Sequence, residues 1–517
     1  MEIELKLLIA PASAAAFRRH PLLKKLAIHK PYQQELVSTY FDTPDCYLML
    51  HQAALRVRQV DGKLIQTLKA GGQVETGLHQ RNEWESEVSD PYPDLAALHG
   101  MLEPKSPWAK LIARTGVARQ LTPIFTTRFQ RRVWLLRLPQ GDEVEVVLDQ
   151  GEIQYGSGTN ATSSPISEVE LELKSGKAEH LFALALELQE TIPLRVGNVS
   201  KAERGYQLYA PQPLQIMKAS TLELSESMTV GKGMQAIIAN CLGQIQGNEA
   251  GLVLGTDSES VHQMHIGVRR LRSALTLFRA QLQLPEFLMV DLRWLGSHLG
   301  VVRDWEVFAG NTLNVMAQHG CQDAADLPRL REKAADFARV SRLKAAEVVC
   351  SMRYARLILT LGACMYSAMA RQPEHASGHQ ELEAPLHEFA SKRLASYQKK
   401  MLKRGKRVVR GSSEERHQLR IAAKKVRYIV EFFYSLYPAK KARSYVAALS
   451  ALQDALGELN DASVAHRLSQ QCAHGEPELA EISGFVSGYI FAHNEKNLGR
   501  LAKLWKEFTL VKPPLKH

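Results

Sequence analysis

The sequence predicts two modules, an antiparallel α+β module followed by an all-α module. Three observations predict this division. Alternating strand patterns fill the first 210 residues, long helical patterns follow residue 225, and the charge is unevenly placed. Residues 1–220 carry 25 Lys and Arg against 25 Asp and Glu, whereas residues 221–517 carry 40 against 29. The whole net charge of +11 therefore lies in the second module, which indicates a polyanionic partner.

The composition of the 517 residues excludes several classes of protein. Hydrophobic residues make up 45% of the chain, which is enough to build sizeable cores and excludes global disorder. No uncharged apolar stretch of about 18 residues occurs, so we expect no membrane span. The N-terminus lacks the pattern of a secretory signal, and the six cysteines include no CxxC pair. A cytoplasmic protein with reduced cysteines is the default expectation.

Alternation of polar and apolar residues predicts the strands of the first module. The clearest runs lie at residues 2–6, 55–58, 143–146 and 168–174. Helical patterns are predicted at residues 12–26, 107–115 and 177–191. Because the helices do not alternate regularly with the strands, we expect an antiparallel sheet.

Several of these strands devote one face to charged residues. Glu2, Glu4 and Lys6 share a face, as do Arg56 and Arg58. A solvated sheet face would show the same alternation, but like charges side by side are unfavourable unless opposite charges lie between them.

A barrel with its charged faces turned inward resolves this repulsion. Basic side chains would bind a multiply charged anion, and carboxylates on the other wall would hold a divalent cation. Hard oxygen ligands suit Mg²⁺ or Mn²⁺. Such a site can position water for phosphoryl transfer.

The ordered motifs of the first module resemble the CYTH superfamily, also called triphosphate tunnel metalloenzymes. The opening Glu2-x-Glu4-x-Lys6 resembles the ExExK signature of that family. Further matches follow in order: Tyr40-Phe41-Asp42-Thr43, Leu55-Arg56-Val57-Arg58, Thr67-Leu68-Lys69, Glu83-Trp84-Glu85, Asp149, Glu168-Val169-Glu170 and Ser200-Lys201-x-x-Arg204. The resemblance covers nearly all of residues 1–208 and implies an eight-stranded antiparallel tunnel.

The same resemblance implies roles for individual residues. A basic set would bind triphosphate: Lys6, Arg56, Arg58, Lys69, Arg131, Arg132, Lys201 and Arg204. An acidic set would hold the metal: Glu2, Glu4, Asp149, Glu168 and Glu170. Glu4, Glu170 and Lys201 are the expected catalytic residues. Strand parity pairs Arg128 with Arg132 and places Arg131 on the other face, so the arginine that faces the tunnel stays open.

The second module contains an internal repeat. Residues 1–210 are the predicted tunnel domain, the Pro-, Ser- and Thr-containing stretch 211–225 is a linker, and residues 226–510 form the helical domain. Equivalent positions of the two copies are His262 and His417, Gly300 and Gly457, and Asp304 and Asp461. A duplicated helical unit explains this repeat.

Each copy places basic or histidine residues at i, i+3, i+7 and i+10, which span roughly 80° of a helix. With their neighbours they form the predicted anion-binding set: His262, His265, Arg269, Arg270, Arg272, His417, Arg420, Lys424, Lys425 and Arg427. A solvated face is the alternative. A metal site at His262 and His265 is disfavoured by the neighbouring arginines.

The helical module resembles the CHAD domain, a conserved-histidine α-helical domain that often follows a CYTH module. The matching motifs are the two His-led helices and the Leu-Gly-x-x-Arg-Asp and Leu-Gly-Glu-Leu-Asn-Asp segments. The resemblance implies two four-helix halves around a basic pore that binds inorganic polyphosphate. The basic run at residues 399–410 either extends this path or is a solvated face, and we expect no sequence-specific nucleic-acid readout because no aromatic residue interleaves the run.

We therefore expect metal-dependent hydrolysis of inorganic triphosphate to diphosphate and phosphate in the tunnel, with polyphosphate bound by the helical domain. Two alternatives stay open at this point, a class IV-type adenylate cyclase and a non-enzymatic polyphosphate-binding protein.

Overall fold

The protein folds into two compact units. The computed structural model describes residues 2–515 except 157, 159–160, 256, 283, 319–325, 371–381 and 409. The first unit comprises Met1–Leu214 with Cys350–Ala370, and the second comprises Gln215–Val349 with Arg371–His517. Among the described residues no single helix is long and apolar enough to cross a membrane, although residues 327–349 and 352–367 meet the test of length and composition as a pair.

The first unit is built on an antiparallel sheet of nine strands. They are β1 Glu2–Ile9, β2 Tyr32–Asp42, β3 Ala53–Val60, β4 Lys63–Glu75, β5 Leu78–Val88, β6 Thr122–Arg137, β7 Glu143–Tyr155, β8 Thr162–Ser175 and β9 Leu194–Val196. Their order is β5-β4-β3-β2-β6-β7-β8-β1-β9, and a further pairing of β5 with β1 closes β1–β8 into a barrel. The predicted antiparallel, eight-stranded barrel is confirmed.

Helices account for most of the remaining chain. In order they are α1 Ala14–Arg18, α2 Pro21–Leu26, α3 Tyr47–Leu50, α4 Leu95–Met101, α5 Pro107–Ile112, α6 Val117–Gln120, α7 Ala178–Gln189, α8 Lys201–Tyr209, α9 Val230–Gln246, α10 Glu249–Leu254, α11 Ser258–Leu277, α12 Glu286–Val307, α13 Leu313–Gln318, α14 Leu327–Val349, α15 Met352–Ala370, α16 Leu386–Gly405, α17 Ser413–Phe432, α18 Ala439–Ala473 and α19 Ala480–Leu510.

The register of the barrel strands places charged residues opposite one another inside. Lys6 on β1 pairs with Glu170 on β8, and Asp149 on β7 lies between Arg131 on β6 and Glu168 on β8. Because side chains alternate along a strand, the apolar neighbours of these residues point outward. Those outward residues form cores that are covered by helices.

One of these cores includes a helix that the sequence predicted as part of the helical domain. Leu359 of α15 is fully buried in the cluster that contains Phe182 of α7. Tyr366 stacks on Phe182 with ring centroids 5.5 Å apart. Gly362 makes this approach possible, because a Cβ atom there would lie 2.3 Å from the Phe182 ring. Helical periodicity alone does not reveal which core a helix joins, so the predicted boundaries assigned this helix to the other domain.

The second unit has the predicted duplicated helical architecture. Helices α11 and α17 are both 20 residues long, and the leading His262 and His417 each occupy the fifth position. Asp257 and Ser412 cap their N-termini. One set of packed neighbours is α9, α11, α12 and α14, and the other is α16, α17, α18 and α19. The mostly helical second module is confirmed.

The position of α15 can be tested by truncating a buried side chain. We expect Leu359→Ala to lower the free energy of unfolding by about 2–5 kcal/mol, because it leaves a cavity in the core shared with α7. Leu343→Ala, at a site that is 57% exposed on α14, is the control. Denaturant unfolding measures both. A loss for Leu359→Ala no greater than that of the control would contradict the assignment of α15 to the first unit.

Candidate active site in the barrel and candidate anion pocket in the helical unit

A charged cavity of about 240 Å³ lies inside the barrel. Its lining contains both signs of charge: Glu2, Glu4, Lys6, Arg56, Arg58, Lys69, Arg81, Glu83, Glu85, Arg131, Glu170, Glu172, Lys174 and Lys201. All but Lys201 stand on strands. Lys201 is the first residue of α8, and a capping box between Ser200 and Glu203 fixes the start of that helix.

Three buried carboxylates form the acidic centre of the site. One oxygen each from Asp149, Glu168 and Glu170 lies within 4.8 Å of the others. Asp149 and Glu168 are fully buried, and Glu170 is 7% exposed. Three negative charges this close in a dry interior require compensation by cations or by metal.

Four basic side chains compensate these carboxylates. Arg131 forms two hydrogen bonds to Asp149, of 2.8 and 2.7 Å, and Nη2 donates to Glu170 at 2.9 Å. The other three cations are shared among the same acids. Lys201 contacts Asp149, Glu168 and Glu170, Lys6 contacts Glu168 and Glu170, and Arg204 contacts Glu168.

The neighbouring cations favour the ionised form of Glu170 and Asp149. Burial opposes the charge on Glu170, but Lys201, Lys6 and Arg131 outweigh burial and hold the pKa of Glu170 well below its usual range. Burial also opposes the charge on Asp149, and Arg131 and Lys201 reverse the effect and lower its pKa. Ionised carboxylates are the form that binds a divalent cation.

The opposite wall of the cavity is basic and only partly neutralised. Arg56 approaches Glu83 at 3.7 Å, and Lys69 contacts Glu2 at 2.6 Å. Within the described chain Arg58 forms no ion pair, and its Nε donates to the Ser38 hydroxyl at 3.1 Å. Burial, followed by the nearby Arg56 and Arg131, lowers the pKa of Arg58 to about 9. Crowded cations of this kind form a binding surface for a multiply charged anion.

The carboxylate cluster that reaches the cavity through Glu170 fits a divalent metal ion. Asp149, Glu168 and Glu170 supply hard oxygen atoms from three neighbouring positions. Glu2 and Glu4 line the same cavity but stand apart from this cluster. Of the five predicted metal ligands, the structure brings three together.

The structure places the arginines of β6 on different faces. Arg131 points into the cavity, while Arg132 lies over the Trp134 ring at 5.5 Å from its centroid. Arg128 is exposed and pairs with Glu35. Arg132 was predicted to contact the substrate, but its side chain does not line the cavity. Arg204, predicted as another substrate contact, holds Glu168 and the Pro165 carbonyl instead of lining the cavity.

Some residues of the cavity were not predicted from the sequence. Arg81 lines the cavity, and its Nη2 atom lies 3.5 Å from Oε2 of Glu203. Strand parity could have found Arg81, because it shares a face with Glu83 and Glu85. Tyr40 also lines it, and although burial opposes the effect, Arg56 and Arg58 lower the pKa of its phenol.

The helical unit contains a second cavity, of about 390 Å³, lined by residues from both repeat copies. Its charged and histidine side chains are His262, His265, Arg269, Arg303, Asp304, Arg420, Lys424 and Asp461. We call it the helical pocket. The equivalent residues Arg269 and Lys424, and Asp304 and Asp461, meet here, so the duplication builds one composite site.

The repeated Leu-Gly motif has a structural role in this pocket. A Cβ atom at Gly300 would lie 3.3 Å from the His265 ring, and one at Gly457 would lie 3.7 Å from Arg420 Nη2. His265 and Arg420 are equivalent positions of the two copies. Gly300 therefore leaves room for the His265 ring, whereas a Cβ atom at Gly457 would make an ordinary van der Waals contact with Arg420.

Positive charge is in excess inside the helical pocket. Burial, together with Arg269 and Arg420, lowers the pKa of Lys424 to about 6. Burial, followed by Arg269 and Lys424, lowers the pKa of His265 to about 3. Asp461 approaches Arg420 at 3.7 Å and is a partial counter-charge. A bound anion would relieve this repulsion.

Other predicted anion-binding residues lie outside the helical pocket. Arg270 is buried and donates to Asn240 and Gln244 on α9. Arg427 pairs with Glu431 at 2.6 Å. The remaining members of the set are His417, Arg272 and Lys425, none of which lines the pocket. In each copy, some residues of the predicted anion-binding set line the helical pocket and the others lie outside it.

Two family models match the chain. The CYTH domain matches residues 1–206, and the CHAD domain matches residues 236–470. The chain therefore belongs to the proteins that combine a CYTH domain with a CHAD domain, which confirms both resemblances found in its sequence.

Known proteins resemble each part separately. An inorganic triphosphatase of Haemophilus influenzae is 38% identical over 216 residues, covering 41% of this chain and 56% of that protein. This chain thus spans just over half the length of that curated relative. The crystal structure of the CHAD domain from the plant Ricinus communis is 36% identical with a TM-score of 0.53, and the match covers 58% of this chain and 98% of that chain.

The opposite placement of Arg131 and Arg132 gives a matched test. We expect Arg131→Lys to weaken tripolyphosphate binding about tenfold, because lysine keeps the charge beside Asp149 and Glu170 but loses the planar fork. Arg132→Lys should change the affinity less than about twofold, since its side chain covers Trp134. Calorimetry measures both constants. Equal effects of the two substitutions would contradict this assignment of the tunnel arginine.

Proposed function

We propose that the barrel hydrolyses inorganic triphosphate to diphosphate and phosphate with Mg²⁺ or Mn²⁺, and that the helical domain binds inorganic polyphosphate. One observation carries the enzymatic part. Glu170, which belongs to the buried carboxylate cluster with Asp149 and Glu168, lines the same cavity as Arg58, and Arg58 forms no ion pair within the described chain. The triphosphatase named among the relatives supports the choice of substrate.

The two walls of the cavity have different roles in the proposed reaction. Arg56, Arg58 and Lys69 bind the phosphate chain through its charged oxygens. The carboxylates Asp149, Glu168 and Glu170 would hold a divalent metal ion, and such an ion would supply Lewis-acid polarisation of a phosphoryl oxygen. Charge–charge binding of this kind orients the chain without a nucleoside pocket.

Water is the nucleophile in this reaction. Its oxygen forms a bond to a terminal phosphorus, and the bridging oxygen leaves with the electron pair of the broken P–O bond as part of diphosphate. Glu4 lies in the same cavity and accepts the proton from water. Glu170 orients that water molecule. Lys201, among the acids at the start of α8, neutralises charge that develops on the phosphate.

The carboxylates can be tested by isosteric substitution. We expect Glu170→Gln and Glu4→Gln each to lower kcat for triphosphate hydrolysis by about 100-fold or more, because each removes a charge from the metal and water side of the cavity. Glu87→Gln is the control, since Glu87 is exposed on β5 and pairs with Lys63. Phosphate release measures activity, and circular dichroism checks folding.

A panel of substrates separates the candidate reactions. Triphosphate, ATP, thiamine triphosphate and pyrophosphate are each incubated with Mg²⁺ or Mn²⁺, with and without a chelator. The proposal requires preferential, chelator-sensitive release of phosphate from triphosphate. Formation of cyclic AMP from ATP, or unchanged hydrolysis in both glutamine variants, would contradict it.

The excess charge of the helical pocket supports polyphosphate binding and predicts its pH dependence. Lys424 faces Arg269, Arg420, Arg427 and Asp461, and its pKa is about 6 in the free protein. A bound anion favours the protonated amine and returns its pKa towards the ordinary value of about 10.4. Binding therefore takes up a proton between these two pKa values, and the affinity falls as pH rises through that range.

We expect polyphosphate affinity to fall several-fold for each unit of pH between 7 and 9. Lys424→Arg should flatten this dependence, because arginine stays charged throughout. Lys399→Arg, on the exposed side of α16, is the control. Calorimetry in buffers of different ionisation heat measures the proton uptake. A slope that is equally steep in Lys424→Arg would contradict the role of Lys424.

A further inference from the structure

Lys201 reaches the buried carboxylates of the barrel from the start of a helix. It is the first residue of α8, and its Nζ lies 2.8 Å from Asp149 and 3.0 Å from Glu170. Because α8 lies outside the sheet, no strand pairing fixes the position of this ammonium group. Its place depends on the contacts that hold the start of α8.

The beginning of β5 lies against the chain that leads into α8. His79 on β5 is 1% exposed, and its Nε2 lies 3.0 Å from the carbonyl oxygen of Gly197. Immediately before the strand, the backbone N–H of Gly77 donates to Oδ1 of Asn198 at 2.9 Å. Arg81 shares a face of β5 with His79, because side chains alternate along a strand. One strand therefore contacts successive residues of the segment that precedes the helix.

Arg81 continues this series of contacts onto α8 itself. Its Nη2 lies 3.5 Å from Oε2 of Glu203. The same Oε2 accepts hydrogen bonds from the backbone N–H and the hydroxyl of Ser200, each at 2.7 Å, as part of the capping box that begins α8. Lys201 directly follows Ser200, so a single carboxylate oxygen connects Arg81 to the residue before Lys201.

Two roles are open to Arg81, because it also lines the charged cavity. It either binds the phosphate chain directly or holds α8 in place. In the part of the chain that the structure describes, Glu203 is the one ion-pair partner of Arg81. His79, on the same face of β5, also contacts the segment that precedes α8. These contacts favour the second role.

We propose that Arg81 is a positioning residue for Lys201 and acts through Glu203. Arg81 holds the Glu203 carboxylate against the start of α8, and the first turn of the helix then keeps the Lys201 ammonium among the buried carboxylates. This inference rests on the triphosphate hydrolysis proposed above. Loss of the contact displaces the ammonium group, which lowers the rate of the chemical step more than the binding of triphosphate.

Two glutamine substitutions remove the ionic contact from either side in the full-length protein. Arg81→Gln removes the guanidinium group. Glu203→Gln removes the charge but preserves the capping box, because glutamine at this position also accepts from the first residue of the box. Arg137→Gln is the matched control, since Arg137 forms an exposed ion pair with Glu143 on the same barrel.

We expect Arg81→Gln and Glu203→Gln each to lower kcat for triphosphate hydrolysis about tenfold and to change KM less than about twofold. The double variant should lose no more than either single variant, because both substitutions remove the same contact. Arg81→Lys should recover most of the loss, since lysine keeps the charge beside Glu203. The control variant should keep the wild-type kcat and KM.

Hydrogen exchange measures the anchoring of α8 without relying on activity. We expect the peptide that contains residues 198–206 to exchange faster in Arg81→Gln than in the wild type or in Arg137→Gln, because the first turn of α8 loses a contact. Circular dichroism checks that each variant is folded.

Three results would overturn the positioning role while the wild type hydrolyses triphosphate. They are a tenfold rise in KM with unchanged kcat in Arg81→Gln, additive losses in the double variant, or exchange at α8 that is unchanged in Arg81→Gln. The first of these results would make Arg81 a direct contact of the phosphate chain. If the wild type releases no phosphate from triphosphate, the proposed function fails and this inference fails with it.

Discussion

The burial of three carboxylates together is the constraint on which the barrel depends. Asp149, Glu168 and Glu170 lie in a dry interior, where each uncompensated charge would cost several kcal/mol. Their cations come from β1, β6 and α8, so the charges are balanced only when these elements meet. Closing the barrel and assembling the site are therefore the same event.

In the helical unit, by contrast, carboxylates balance the basic side chains only in part. The helical pocket brings four basic side chains together with two carboxylates, so repulsion among the basic groups persists in the free protein. Burial, followed by repulsion from Arg269 and Arg420, lowers the pKa of Lys424 to about 6. A polyanion would restore the charge and remove the repulsion at once. The barrel therefore balances its buried charges internally, whereas the helical pocket keeps an excess of basic side chains.

Much of both sites could be predicted from residue spacing. Period-two alternation identified Lys6, Arg56, Arg58 and the acidic strands, because a strand sends alternate side chains to the same face. The duplication placed Arg269 and Lys424 at equivalent positions of the predicted anion-binding set, and both line the helical pocket. These inferences succeeded where a local period determines which way a side chain points.

The sequence by itself determined the two folds, the alternation of charge in the barrel and the repeat of the helical unit. Only the tertiary structure decided which of Arg131 and Arg132 enters the cavity, because the choice depends on the pairing of β6 with β7. It also decided that Arg270 serves α9 and that α15 joins the core of the first unit. Basic residues that share one side of a helix can contact several neighbouring elements. Local periodicity carries no information about which neighbour it meets, since that is fixed by packing between residues distant in the chain.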